Sequence, residues 1–276
     1  MKRKIAITGS TGDLCSIVAE ELAKKGYSLV FVDRNRQKSE KNAERIRSVC
    51  PGAEIEFVSC DLGDDASVAA AADILIGSGI DTLILGAGVY NVPITKGEDG
   101  FNNIFRINFL SQYRLAVRLA ERCPTLRRIV AIGSVAHNYG RFDAGDPDYS
   151  RRTKPSSIYG NSKRVIMAAL YKKFKDDKKI KLSIAHPGVT LTNMTNHYPK
   201  SINWLVKIGI KLLFPSPKKA ARSLVLAADE ECGYMEWIGP RLFGVWGSPS
   251  KKRLKTIGEN EAETIYEYAE SICDNM

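Results

Sequence analysis

Tyr159 and Lys163 lie four residues apart in a stretch, Ser157 to Lys175, whose pattern predicts a long helix. That spacing sets a phenol and an ammonium on one helix face. A phenol ionises near pH 10 and is a poor base at neutrality. A neighbouring positive charge favours the phenolate and lowers that value. The pair could therefore give or take a proton at a substrate oxygen. The plain alternative is a helix pair with no chemistry. A second candidate is the run Thr8-Gly9-Ser10-Thr11-Gly12-Asp13-Leu14-Cys15. It joins a predicted strand, Ile5 to Ile7, to a predicted helix, Asp13 to Lys25. A glycine-rich turn there lets the backbone approach a pyrophosphate, and the helix N-terminus offers N–H groups and partial positive charge. Cys15 fills the third glycine position. Asp13 complements the helix dipole but would repel a phosphate if it pointed at one.

The second strand, Leu29 to Val32, leads into Asp33 and Arg34. An acid about 20 residues past the turn accepts from adenosine ribose hydroxyls and selects NAD. An arginine there pairs with the additional phosphate of NADP. Asp33 comes first and favours NAD, with NADP kept open. Asp61 and Leu62 follow a third strand, Ile55 to Val58. Asp61 could meet the adenine or cap a helix.

These residues need elements to hold them. Helices are predicted at Gln37 to Val49, Ala66 to Ile76, Phe101 to Cys123 and Glu261 to Cys273. Further strands are predicted at Leu83 to Leu85, Ile129 to Ile132 and Leu182 to Ala185. Alternating strands and helices imply a parallel sheet covered on both faces. The strands are continuous apolar runs, as doubly covered sheets require. His137 to Ser156 reads as a loop and Asn196 to Phe214 as an insertion. No linker or repeat divides the 276 residues, so residues 1–276 read as one domain. A substrate lid is expected at about 193–216 and a C-terminal extension at about 230–276.

Hydrophobic residues at 44% and charged residues at 26% suit a globular domain. The formal charge of +10 falls in short clusters without interleaved aromatics, which argues against nucleic acid. The six cysteines form no CxxC pair, so no metal site is expected. Secretory and membrane-spanning segments are not evident. Thiols in a reducing cytoplasm are the expectation.

In order along the chain, these features resemble the short-chain dehydrogenase/reductase family. Thr8-Gly9 heads its glycine turn, with spacing nearer the extended branch's TGxxGxxG. Gly86-Ala87-Gly88 is similar to its NNAG, with Leu85 and Gly86 in place of both asparagines. Asn108, Ser134, Tyr159 and Lys163 match its Asn-Ser-Tyr-Lys set. His186-Pro187-Gly188, followed by Val189 and Thr192, matches its segment after the sixth strand. The resemblance runs from Lys4 to about Asp229. It implies a three-layer, doubly wound α/β sheet, the Rossmann fold, binding NAD or NADP. It implies a small carbonyl or alcohol substrate, with Tyr159 as acid or base and Ser134 holding the substrate oxygen. Lys163 would bind the nicotinamide ribose and Asn108 would place a water beside it. Pro187, Gly188, Val189 and Thr192 would border the nicotinamide. Ser134 as a turn residue and Asn108 as an interior hydrogen bonder are the bland readings. His186 reads as a structural hydrogen bonder.

Residues Asn138 to Tyr159, the YGxSK motif and Pro217 to Ala221 look like the branch that includes retinol dehydrogenases. That implies a large apolar substrate. Ile202 to Phe214 reads as an apolar lid, with peripheral membrane contact through Lys207 and Lys211 the less favoured role. In the family, the faces of Phe101 to Cys123 and Ser157 to Lys175 pair between subunits, so a homodimer or homotetramer is expected. A non-catalytic dinucleotide sensor or scaffold is the alternative, kept alive by Asp13, Cys15 and the absent asparagines. A sugar-nucleotide epimerase fits the glycine spacing but would need a large C-terminal substrate domain.

Overall fold

The computed structural model describes residues 2–152, 154–188 and 215–273. Strands form at the apolar runs: β1 (Lys4–Thr8), β2 (Ser28–Asp33), β3 (Ile55–Ser59), β4 (Thr82–Leu85), β5 (Arg128–Ile132) and β6 (Lys181–Ala185). Between them lie α1 (Asp13–Lys24), α2 (Arg36–Val49), α3 (Asp65–Gly77), the single turn α4 (Asn103–Phe105), α5 (Ser111–Arg122) and α6 (Pro155–Lys173). The chain closes with α7 (Pro217–Asp229), β7 (Glu236–Leu242), β8 (Trp246–Arg253) and α8 (Glu259–Cys273).

The strands make one sheet in the order β3-β2-β1-β4-β5-β6-β7-β8. All neighbours pair in parallel except β7 and β8. One face is covered by α1, α2 and α7 through Val18, Leu22, Ile46 and Leu224. The other is covered by α3, α5, α6 and α8 through Leu75, Leu115, Val165 and Ile265. This is the doubly wound, three-layer arrangement. The chain order reverses between β1 and β4, and the crevice outside that point is where such sheets bind ligands.

Three departures from the sequence reading have local causes. First, β7 and β8 lie where only an extension was expected. Gly239, Pro240, Gly247 and Pro249 interrupt any apolar run there, and the two strands pair Pro240 with Pro249 near the sheet edge. Second, β8 is antiparallel, because a turn of three residues can only double the chain back. Third, the helix expected from Phe101 to Cys123 is broken. After α4 the residues Arg106–Leu110 form a π-helical stretch before α5 begins. Such bulges concentrate at functional sites, and this one carries Asn108. Among the described residues no helix is long and apolar enough to cross a bilayer. The calls for Val189, Thr192 and most of the expected lid lie outside the described residues.

Candidate active site

The glycine turn stands at the C-terminal end of β1. Gly9 adopts φ +67°, and a Cβ there would lie 2.7 Å from Ala87 Cα. Glycine is needed for both the backbone conformation and the close approach. Gly12 caps α1 without a side-chain hydrogen bond. A helix N-terminus behind such a turn is a place where an anion can be held. Thr11, Asp13 and Leu14 are partly buried around this turn. Ser10 is fully buried and points inward instead. Its hydroxyl donates to Asp33 at 2.5 Å, and Ser39 donates to the same carboxylate oxygen at 2.8 Å. Asn42 donates to the Ser10 carbonyl at 3.0 Å. Three residues thus fix the acid at the end of β2. Arg34 is exposed and reaches across to Asp61 at 3.7 Å. The Asp61 carboxylate also accepts from Gly63 N–H at 2.9 Å, and the Leu62 carbonyl accepts from Ser111 at 2.7 Å.

Cys15 and Gly86 explain each other. The thiol is buried 3.6 Å from the Gly86 carbonyl. A Cβ on Gly86 would fall 2.4 Å from that sulfur and 2.7 Å from the Thr8 carbonyl. The turn has gained a side chain at 15, and the segment after β4 has none at 86. Burial pushes the Cys15 thiol up to about 12, so it is a packing group and not a nucleophile. Thr8 and Gln112 complete the joint. The Thr8 hydroxyl donates to Gln112 at 3.1 Å and accepts from Gly86 N–H at 2.9 Å, while Gln112 donates to Ala87 O at 2.9 Å.

Asn108 is fully buried in the π-helical stretch. It donates to Val89 O at 2.9 Å and Ser162 Oγ at 3.1 Å, and accepts from Val89 N at 2.7 Å. It locks the segment after β4 against α6. Gly88 brings that segment close: a Cβ there would lie 3.4 Å from Asn108 Oδ1 and 3.8 Å from Lys163 Nζ.

Ser134 follows β5 and caps a 3-10 turn, Val135–Tyr139, by accepting from Ala136 N–H at 3.2 Å. Its hydroxyl also lies near enough to the Tyr159 phenol to favour the phenolate. Tyr159 and Lys163 share a face of α6, with the ammonium 5.8 Å from the ring centroid. Gly160 permits this docking, since a Cβ there would lie 2.3 Å from Ala136 O. Lys163 donates to Ile132 O at 3.1 Å. Burial pushes its ammonium down to about 8. Burial pushes the Tyr159 phenol up to about 12, against the opposing Ser134 hydroxyl and with a further upward push from Tyr90. The Tyr90 ring meets Tyr159 edge-on, centroids 5.2 Å apart. His186 is buried, stacks on Trp237 at 5.0 Å and is held by the Gly244 carbonyl at 3.0 Å. Burial pushes it down to about 4, so it is neutral over the ordinary pH range. Pro187 and Gly188 continue this rim, Gly188 at φ +84°.

The structure therefore assembles every described candidate on the C-terminal edge of the sheet. Ser39, Asn42, Gln112 and Tyr90 belong to the site and carry no motif. Only their place in space reveals them.

The chain belongs to the short chain dehydrogenase family, whose profile matches residues 3–203. This is a family of NAD(P)-dependent oxidoreductases. Retinol dehydrogenase 12 of Mus musculus is 30% identical over 209 residues, 72% of this chain and 66% of the relative. Polyprenol dehydrogenase of Mus musculus is 27% identical, covering 89% of this chain and 74% of the relative. An uncharacterized protein of Mycobacterium paratuberculosis superposes with a TM-score of 0.76 at 27% identity, covering 99% and 93% of the two chains. A short-chain dehydrogenase of Sphingobium yanoikuyae in complex with NADPH shares the fold with a TM-score of 0.60 at 23% identity, over 81% of this chain and 83% of that one.

Proposed function

We propose that the chain moves a hydride between a nicotinamide dinucleotide and the alcohol or carbonyl of a large apolar molecule. The observation that carries this reading is the convergence of three groups from separate elements. The Ser134 hydroxyl lies beside the Tyr159 phenol, and Lys163 lies beside the same ring. The residues present fit the cofactor: an uncapped helix N-terminus behind a glycine turn, a fixed acid at Asp33, and a buried ammonium at Lys163. The bound nicotinamide supplies or accepts the hydride.

The chain's own groups handle the proton. In reduction Ser134 holds the substrate oxygen as negative charge develops there. Tyr159 gives its phenol proton to that oxygen, and in oxidation it takes the proton back. Lys163, beside the Tyr159 ring, binds the nicotinamide ribose. Asn108 acts through position, tying the segment after β4 to the helix that carries Tyr159. Asp33 accepts from the adenosine ribose and favours NAD over NADP. The names of the relatives, retinol and polyprenol dehydrogenases, support an extended apolar substrate. Among the described residues no cysteine is in a disulfide, which suits a reducing, cytoplasmic setting.

The test is a fluorescence titration of the protein with NADH and, separately, NADPH, followed by turnover of retinoid, polyprenol and aromatic carbonyls. Tyr159→Phe should keep cofactor binding and lose turnover by orders of magnitude. Failure to bind either nucleotide up to millimolar would leave a scaffold on the same fold.

A further inference from the structure

Exposed large apolar side chains are scattered over the described surface except at one place. Leu242, Phe243 and Trp246 are 55%, 88% and 41% exposed and sit together at the tip of the β7–β8 hairpin. Leu242 and Trp246 are paired across the two strands. Phe243 and Gly244 both adopt positive φ, +51° and +70°. The Val245 N–H donates to the Leu242 carbonyl at 2.9 Å and closes the turn. A turn of this kind favours Asn-Gly at its centre, because a side chain at positive φ is strained. Phenylalanine works against the turn it occupies. Folding alone gives no reason for an aromatic ring at that point, held almost entirely in water.

The tip is also in a particular place. β7 runs parallel to β6, so its far end stands on the sheet edge that carries His186 and Gly188. A Cβ on Gly188 would lie 3.1 Å from Pro240 Cγ and 3.2 Å from Val245 O. α7 connects these parallel neighbours, so it starts on the same edge. Its first residues include Lys218, Lys219 and Arg222, all exposed, with no acid in the first turn. Bases there oppose the helix dipole, so they too do not serve helix stability. Arg241 is exposed beside the tip, and the Lys252 ammonium reaches back to the carbonyls of Pro240 and Arg241 at 2.9 and 2.5 Å. From Trp237 to Gly258 the chain contains no acid.

We propose that this hairpin tip docks on a lipid surface bearing anionic headgroups, with Leu242, Phe243 and Trp246 in the interface and Arg241, Lys218, Lys219 and Arg222 against the headgroups. Aromatic rings favour the interfacial zone, and basic groups beside them are attracted by anionic lipid. Docked this way, the active-site edge faces the bilayer. An apolar substrate could then pass between lipid and site without crossing water. The surface stands on its own observations, whereas this use of it rests on the substrate class proposed above.

The experiment is co-sedimentation of the full chain with vesicles of phosphatidylcholine containing 30% phosphatidylserine, and with phosphatidylcholine alone. The protein should bind the anionic vesicles and lose binding as salt is raised. In a Trp204→Phe background, Trp246 emission should shift to the blue, since Trp237 is only 9% exposed. Phe243→Asn suits the turn better than the native residue. It should lower vesicle binding at least tenfold without lowering the melting temperature or NADH binding. Lys218→Glu with Lys219→Glu should lower binding to the anionic vesicles only. Unchanged binding by Phe243→Asn would overturn the proposal, as would failure of the native chain to sediment with anionic vesicles. A Phe243→Asn change that only dissolves a dimer would make the tip a contact between copies, and would overturn it too. NADH binding reports on the enzyme reading separately, so failure of either idea is distinguishable.

Discussion

Tyr159 is held protonated by its own surroundings. Burial and Tyr90 push the phenol up to about 12, and Ser134 offsets only part of this. Alcohol oxidation needs the phenolate, so its rate should climb with pH on the alkaline side. Carbonyl reduction needs the phenol and should not show that climb. Ser134→Ala should lower both rates and move the alkaline limb to higher pH, because a hydroxyl that favours phenolate is lost. Initial rates from pH 6 to 10 in both directions would check this. An alkaline limb unmoved by Ser134→Ala would remove the hydroxyl from control of the proton. Lys163 carries a complementary sign. Its folded value, about 8, lies below the ordinary 10.5, so the folded state disfavours its charge. The cost is full below pH 8 and fades as pH rises toward 10.5. Urea melts should show the native chain gaining stability relative to Lys163→Met across that window, by up to about 3 kcal/mol. A gap constant with pH would mean that Lys163 does not titrate there. At Asp33, two serine hydroxyls orient the carboxylate. Asp33→Ala should weaken NADH more than NADPH in the titration. An unchanged ratio would hand selection to Arg34 or another group.

At the scale of elements, the glycines mark where one segment must touch another. Gly86 is the informative case. Its absent side chain makes room for Cys15, which stands where the family's turn has a third glycine. Gly86→Ala should destabilise the chain by about 1–3 kcal/mol, the usual range for overpacking. Adding Cys15→Gly should recover part of that loss, and the Thr8 carbonyl explains why recovery stays incomplete. No recovery in thermal melts of the double variant would show that the sulfur is not the obstacle. The same pair shows what the sequence could and could not display. Cys15 and Gly86 each looked like a defect in a motif when read alone, because sequence order hides that they face each other. The strands from β1 to β6 were legible since doubly covered strands must be apolar runs. β7 and β8 were not, because the edge strand β8 and the strand beside it tolerate the Gly, Pro and charge that sequence reading takes for loops. Asn108 was legible as a residue, but the π-helical stretch that turns it inward was not. Ser39 and Asn42 gave no signal, since a lone serine or asparagine on a polar helix looks like surface.

At the scale of the whole molecule, the C-terminal helix packs on a face expected to meet a second subunit. The faces of α5 and α6 were expected to meet a second subunit. In the structure α8 lies on them. Tyr113 donates to Glu270 at 2.7 Å, Arg114 to Ile272 O at 2.8 Å, and Lys173 pairs with Glu270 at 2.7 Å. Ala262, Ile265 and Ala269 are fully buried in the same layer. Arg164 anchors the contact. Its guanidinium grips both oxygens of Glu261 and donates to His137 O at 3.1 Å and Thr256 O at 2.7 Å. On α6 a second copy would meet the ground this helix already holds. Light scattering should therefore give the mass of one chain, 30.5 kDa. Glu261→Ala leaves the buried guanidinium without its partner and should cost about 3 kcal/mol. Because Arg164 also holds the His137 carbonyl in the turn that Ser134 caps, turnover should fall along with stability, while NADH binding on the far side of the crevice should not. The pairing should weaken as acid protonates Glu261, whose carboxyl Arg164 holds below its usual range. The native chain should then lose its advantage over Glu261→Ala as pH drops below about 4.5. A stable dimer that changes on α5 or α6 dissolve would mean that α8 leaves this face in solution. The expectation of paired subunits would then stand.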